Sequence, residues 1–212
     1  MKTLLITAFL SVMCLIGVAQ GFRGRVILGL NGSQVDGDQR TGWHRFGLVA
    51  GFGAEFPVNP KFSVEPEFLY SAKGSITSDK ELDAGMAPFQ FAFRYVELPV
   101  QFNYYMRKDL RFRLGLIPQY LLSAKADAGT GIGYEDYYDR LNKIDIMGSA
   151  GLEYLLSDRF AAGMQYNYSM IPINKGGADF SIIGLRGGMY NNVLSFTIHY
   201  ILIGPNEDGA SE

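Results

Sequence analysis

The chain has 212 residues with 19 Lys and Arg against 21 Asp and Glu, a formal net charge of −2, so it carries no basic field of the kind that gathers nucleic acid. Its one cysteine, Cys14, lies in the N-terminal apolar run, which excludes a disulfide framework and leaves stability to burial, hydrogen bonding or a membrane. With 26 Gly, 13 Tyr and 15 Phe, it is rich in glycine and aromatics at once, which disfavours a helical protein and suits strands with apolar outer faces and glycine-relieved inner ones.

Met1 and Lys2 give a positive start, and 4–18 is apolar apart from Thr7, Ser11, Cys14 and Gly17. Gly17 and Ala19 supply the small residues before a cut after Ala19, the layout of a secretory signal peptide. The run is short of the roughly 20 residues that a transmembrane helix needs. Cys14 follows Met13 inside the apolar run, where lipidation would expect a small residue before it. The expected organisation is a signal peptide at 1–19, one domain at 20–203 and a polar tail at 204–212.

Beyond the signal, period-two alternation dominates. The weakest strand, 23–31, comes first. In 45–56, Phe46, Leu48, Ala50, Phe52, Ala54 and Phe56 oppose Arg45, Gly47, Val49, Gly51, Gly53 and Glu55. In 62–73, Phe62, Val64, Pro66, Phe68 and Tyr70 oppose Ser63, Glu65, Glu67, Ser71 and Lys73. Val96, Leu98, Val100, Phe102 and Tyr104 oppose Glu97, Pro99, Gln101, Asn103 and Tyr105. The pattern recurs in 112–122, 144–154, 160–168 and 194–202, which makes eight strands.

Short connections at 57–60, 106–110 and 155–159 alternate with long ones at about 31–42, 73–93, 123–142 and 171–190. Short inner turns, long outer loops and strands of about 10–13 residues are the pattern of an outer-membrane barrel rather than of a soluble sheet, whose strands average about 5–6 residues. The fold class expected is all-β: a closed antiparallel up-and-down transmembrane β-barrel of eight strands in a Gram-negative outer membrane. Pro66, Pro99 and Pro118 fall inside proposed strands, where each removes a ladder donor, so bulges or broken pairing are expected there. An internal echo links Pro66-Glu-Phe-Leu-Tyr-Ser-Ala-Lys73 to Pro118-Gln-Tyr-Leu-Leu-Ser-Ala-Lys125, with a fainter copy at Gln165-Tyr-Asn-Tyr-Ser169.

Certain segments carry a family likeness: Gly29-Leu-Asn31, Phe46-Gly-Leu-Val-Ala-Gly-Phe-Gly53, Glu67-Phe-Leu-Tyr-Ser-Ala-Lys-Gly74, Tyr95-Val-Glu-Leu-Pro99 and Gly148-Ser-Ala-Gly-Leu-Glu153. Together with the Tyr-rich 165–168, they resemble the PorT-type, or "porin family", outer-membrane β-barrel proteins over essentially the whole mature chain. The Tyr-x-Glu-x-Pro strand is the most specific piece. The resemblance implies an eight-stranded outer-membrane barrel and little chemistry. One departure is the C-terminus, where Tyr200 is followed by Ile-Leu-Ile and a polar tail instead of a terminal aromatic.

The polar face predicts an interior network of Arg25, Arg45, Glu55, Glu65, Glu67, Glu97, Arg113, Asp145 and Glu153, with Arg23 and Lys73 also inward. Paired acids can serve acid–base catalysis. In a barrel of eight strands, which holds little more than side chains, they read instead as a plug of mutually paired charges. His199 is expected inward near the inner end and His44 at the outer rim, too far apart for one metal or hydrolytic site. No phosphate loop, nucleophile elbow or dinucleotide fingerprint occurs. The expectation is therefore no catalytic, metal or cofactor site. In the third long loop, Tyr134, Tyr137 and Tyr138 beside acids form a candidate contact surface for a protein or glycan. The expected partners are outer-membrane lipid and a protein or glycan at the outer loops, with no nucleic acid. The favoured role is structural or interactive. Its alternatives are a secretion-machine component and a small barrel enzyme acting on lipid or peptide.

Overall fold

The computed structural model describes residues 22–175 and 188–202. The expected signal peptide and polar tail lie outside them. In chain order the elements are β1 (Arg23–Asp36), β2 (Arg45–Asn59), β3 (Phe62–Ile76), the short helix α1 (Asp79–Asp83), β4 (Gln90–Glu97) and β5 (Val100–Tyr105). They continue with β6 (Leu110–Asp127), the two-residue β7 (Glu135–Asp136), a 3-10 turn (Tyr138–Arg140), β8 (Ile144–Ser157), β9 (Phe160–Ser169) and β10 (Tyr190–Ile201). All pairings between neighbours are antiparallel, and β1 joins β10 from Arg25↔Ile201 to Asp36↔Tyr190. Because β4 and β5 are two halves of one stave and β7 only decorates β6, the ring is a closed eight-stave barrel.

The stave broken at Leu98–Pro99 is where the prolines converge. Pro66, Pro99 and Pro118 stand on three adjacent staves. The carbonyls of Pro99 and Pro118 remain in use: Glu67 N–H donates to Pro99 O and Leu98 N–H to Pro118 O, both at 2.8 Å. Pro66 and Pro118 keep the register of their neighbours, Val100 and Ile146. The bulge falls instead between Arg94 and Tyr95, whose partners on β6 are Ser123 and Leu121. Tight curvature in so small a ring is served by inward glycines: a Cβ on Gly51 would lie 2.0 Å from the Phe68 carbonyl oxygen.

The outward face is an apolar belt. It includes Val26, Leu28 and Leu30 on β1, Leu114 and Leu116 on β6, and Phe196 and Ile198 on β10, all exposed. Aromatic residues rim it at both levels, among them Phe62, Tyr104, Tyr154 and Phe160 at the inner turns, and Trp43, Phe46, Tyr120 and Tyr166 toward the long loops. This is the girdled exterior of a barrel built for lipid.

The staves outlast the belt. Strand β6 has 18 residues, roughly 60 Å of chain, or roughly 45 Å along the axis at a tilt of about 40°, against an apolar band of about 25 Å. The expected long loops at 73–93 and 123–142 are accordingly shorter, because β3 runs on to Ile76, β4 begins at Gln90 and β6 ends at Asp127. Above the belt the outward positions turn polar, with Gln34 and Asp36 on β1, Asn192 on β10, and Arg94 and Lys125 on β4 and β6.

Candidate functional site

The interior carries the chemistry, in stacked levels. The lowest polar level is a lattice of carboxylates and guanidinium groups. Alternation places Glu55 on β2, Glu65 and Glu67 on β3, Arg111 and Arg113 on β6, Glu153 on β8 and Arg25 on β1 all inward, and all are buried. Glu153 is the hub: it accepts from Arg25 Nη1 at 3.0 Å, from Arg111 Nη2 at 2.6 Å and from Arg113 Nη1 at 3.1 Å. Arg111 also reaches Glu55 at 2.8 Å and Glu65 at 3.3 Å, while Arg25 Nε lies 3.3 Å from Glu55. Arg113 Nη2 donates to Glu67, and its Nε donates to Asn103 Oδ1 at 3.2 Å. Tyr105 and Ser63 donate to Glu55. His199 sits in the same lattice, 3.6 Å from Glu153 and 2.9 Å from the Thr197 hydroxyl.

A second polar node stands higher. Lys73 Nζ donates to Glu97 at 2.5 Å and to Gln119 Oε1 at 2.8 Å. Asp145 Oδ2 collects donors from Gln119 at 2.5 Å, Ser169 at 2.7 Å and Asn191 at 3.1 Å. Asn191 also reaches the Tyr95 hydroxyl at 3.3 Å, and Lys73 lies 5.0 Å from the centre of the Tyr95 ring. Over this node the interior becomes apolar. Val35, Phe91, Phe93, Tyr95, Leu121 and Ala124 project inward from the staves, and Leu141 and Ile173 fold down on them from the third and fourth loops. Phe91 packs between Phe93 and Tyr137 at 5.2 and 5.0 Å between ring centres, with both pairs tilted.

Of the nine residues expected in one network, Arg25, Glu55, Glu65, Glu67, Arg113 and Glu153 meet in the lower lattice. Glu97 and Asp145 belong to the separate node at Lys73. Arg45 corrects the expectation: it opens β2 at the outer rim, where its guanidinium donates to Gln90 at 2.9 Å and to the Tyr134 hydroxyl at 3.4 Å. Arg23 is exposed at the opposite end. Arg111, which completes the lattice, falls between the inner turn expected to end at 110 and the strand expected from 112. Its parity with Arg113 was the available signal. The three tyrosines divide: Tyr134 is exposed, whereas Tyr137 and Tyr138 are half-buried against the apolar stopper, with Arg140 over one ring and Lys143 over the other. His44 stays at the rim, exposed.

The family model described as outer membrane protein beta-barrel domain matches residues 18–175. Among solved structures, Ail, the attachment invasion locus protein of Yersinia pestis, superposes with a TM-score of 0.53 at 14% identity, covering 86% of this chain and 99% of that one. Ail in complex with the heparin analogue sucrose octasulfate gives 0.52 at 13% identity, with the same coverage of both chains. Neisserial surface protein A gives 0.50 at 11% identity, covering 84% of this chain and 96% of that one. At such identities the likeness is one of fold. No curated protein matches the sequence.

Proposed function

From the premise that the chain belongs to the outer membrane protein beta-barrel domain family and resides in the cell outer membrane, we propose that it is a closed, non-enzymatic barrel that presents its outer loops to a protein or glycan partner. One observation carries this reading: the bore is filled at successive levels, by the arginine–glutamate lattice, the Lys73 node and the apolar stopper. A filled bore leaves the outer surface as the place for function. Tyr134 and Ile132 are exposed there on the third loop, beside Arg45 of the rim, and aromatic groups next to a guanidinium suit protein and sugar contacts alike. Because Ail has been solved with a heparin analogue, sucrose octasulfate is a rational first ligand to assay.

Planar-bilayer recording of the purified protein tests the closed state. Silence is expected from the wild type, and large stable conductance steps would overturn the reading in favour of a pore. The finer PorT-type resemblance, carried by Tyr95-Val-Glu97-Leu-Pro99, supports a secretion-associated role as the second reading. Crosslinking from the outer loops in intact cells separates the two: a stable set of membrane-machine proteins favours secretion, and an extracellular protein or glycan favours the loop-contact reading.

A further inference from the structure

Two peptides identical at five of eight positions end on opposite sides of the barrel wall. Pro66-Glu-Phe-Leu-Tyr-Ser-Ala-Lys73 runs without interruption along β3, and Lys73 is buried inside. Pro118-Gln-Tyr-Leu-Leu-Ser-Ala-Lys125 runs along β6, where the register against β4 slips by one residue at Leu122. One extra residue inverts the alternation that follows it. Ala124 therefore turns inward and Lys125 emerges outside.

On that outer face Lys125 joins two further cations. Arg94, exposed on β4, pairs with Ser123, so Lys125 is its diagonal neighbour at about 7–8 Å. Lys143 lies with its ammonium 4.9 Å from the centre of the Tyr138 ring. Tyr138, Leu122, Ser123, Lys125 and Asp136 line a recess of about 200 Å³. Among the described residues no carboxylate lies within ion-pair distance of Arg94, Lys125 or Lys143. Asp136, the one acid at the recess, accepts the Tyr138 N–H at 2.8 Å. Asp136 also stands opposite Lys125 on the β6–β7 ladder, and one carboxylate against three cations leaves a net positive charge that a seated anion offsets.

The height of the recess says which anion. Leu122 lines its lower edge on β6 and Tyr120 stands just below, the top of the apolar belt, and below Arg94 on β4 is Val96. The cations thus stand at the level of lipid headgroups. Diametrically across the barrel, the β10–β1 rim offers Asp36, which Gln34 and Asn192 hold by hydrogen bonds, and, among the described residues, no such cluster of cations. We propose that this recess, lined by Lys125 and flanked by Arg94 and Lys143, seats the phosphate of an anionic outer-leaflet glycolipid, with Tyr120 and Leu122 against its first acyl carbons. The assignment does not depend on whether the bore conducts.

Native mass spectrometry of the full-length detergent-purified barrel tests it, with diphosphorylated lipid A, its dephosphorylated form and inorganic phosphate as probes. The triple variant Arg94→Ala, Lys125→Ala, Lys143→Ala is expected to weaken retention of diphosphorylated lipid A roughly tenfold or more. A control pair at an inner turn, Arg107→Ala with Lys108→Ala, should leave retention unchanged. Heat-modifiable migration on a gel verifies that each variant is folded. If the triple variant does not refold, Lys125→Gln alone replaces it, with a smaller expected loss in the same direction. Retention of the phosphorylated lipid by the folded triple variant at wild-type strength overturns the site. Equal retention of the dephosphorylated lipid by the wild type does the same. Binding of inorganic phosphate as tightly as the lipid overturns the lipid assignment.

Discussion

The lower interior is filled by Arg25, Arg111 and Arg113 against Glu55, Glu65, Glu67 and Glu153, the upper interior by Val35, Phe91, Phe93, Leu121, Leu141 and Ile173. The two halves of one tube thus use opposite fillings, and the medium outside each half explains the choice. Around the lower half the exterior is lipid, so burying apolar side chains inside gains little over leaving them in the belt, and specific polar contacts do the joining. Around the upper half the outward residues are polar and face water. There the hydrophobic effect operates as it does in a soluble protein, and an apolar core returns to the inside. The barrel is in this sense a membrane protein below and a soluble β-domain above, with the Lys73–Glu97–Asp145 node between them.

The sharpest way to break this comparison is to unbalance the lower lattice. Arg113 is the only ion-pair partner of Glu67 among the described residues, so Arg113→Met leaves a buried carboxylate without a cation. In a dry interior that is expected to cost on the order of 3–5 kcal/mol, read by urea titration of barrel refolded into lipid vesicles. Adding Glu67→Leu should recover most of the loss, because the stranded charge is then removed. A cost below about 1 kcal/mol for Arg113→Met would mean that the charges are screened by water, and the lower half would then be a wet channel rather than a filled core.

The upper half should respond by a different rule. Leu141→Ala removes a fully buried side chain that a loop inserts between staves, and an expected loss of about 2–3 kcal/mol follows from the transfer and cavity terms for a buried leucine. The loss should stay local. Hydrogen exchange should rise at the ends of β4 and β6, while the gel shift between unheated and boiled samples persists, since the lipid-embedded ladder is untouched. Uniform acceleration of exchange along all the staves would show that the two halves fold as one unit and would remove the distinction drawn above.

The lower half was legible in the sequence because one rule served it throughout. Glu65 and Glu67 alternate with Val64, Pro66 and Phe68, and in lipid the polar set must face inward. The same rule hid the upper half. Phe91, Phe93 and Tyr95 alternate with Ala92 and Arg94 as cleanly, but here the apolar set is inside, and parity alone does not say which face is which. Parity therefore leaves Phe91 and Phe93 in the long connection expected at 73–93. Arg45 shares the inward parity of Gly47 and Val49, but its long side chain reaches Gln90 and Tyr134 at the rim and so does not join the lattice. The bulge at Leu122 leaves no mark in the sequence, since Leu-Leu-Ser-Ala-Lys125 reads like Leu-Tyr-Ser-Ala-Lys73. Leu141 and Ile173 become core residues only once the loops fold back over the barrel mouth.

The smallest effect is expected where neither filling applies, at the exposed loops above the stopper. There Glu81 of α1 ties the first loop to the second: one carboxylate oxygen accepts the Thr41 N–H and the other the Ser78 N–H, each at 2.8 Å. The Ser78 N–H, followed by that of Thr41, holds the carboxyl down to about 2, below its ordinary value of 4.5. A carboxylate whose pKa falls on folding contributes its stabilisation fully above the unfolded value and loses it as pH falls toward the folded one. The tie should therefore be intact at neutral pH, begin to weaken below about 4 and be released only near 2. Being exposed, it is screened, so global stability should hardly change in Glu81→Gln. The readout is local: amide exchange at Thr41 should accelerate in Glu81→Gln at neutral pH, with exchange at Phe93 and Tyr95 unaltered. Faster exchange at those two stave residues would show that the loop tie supports the apolar stopper instead of lying independently above it.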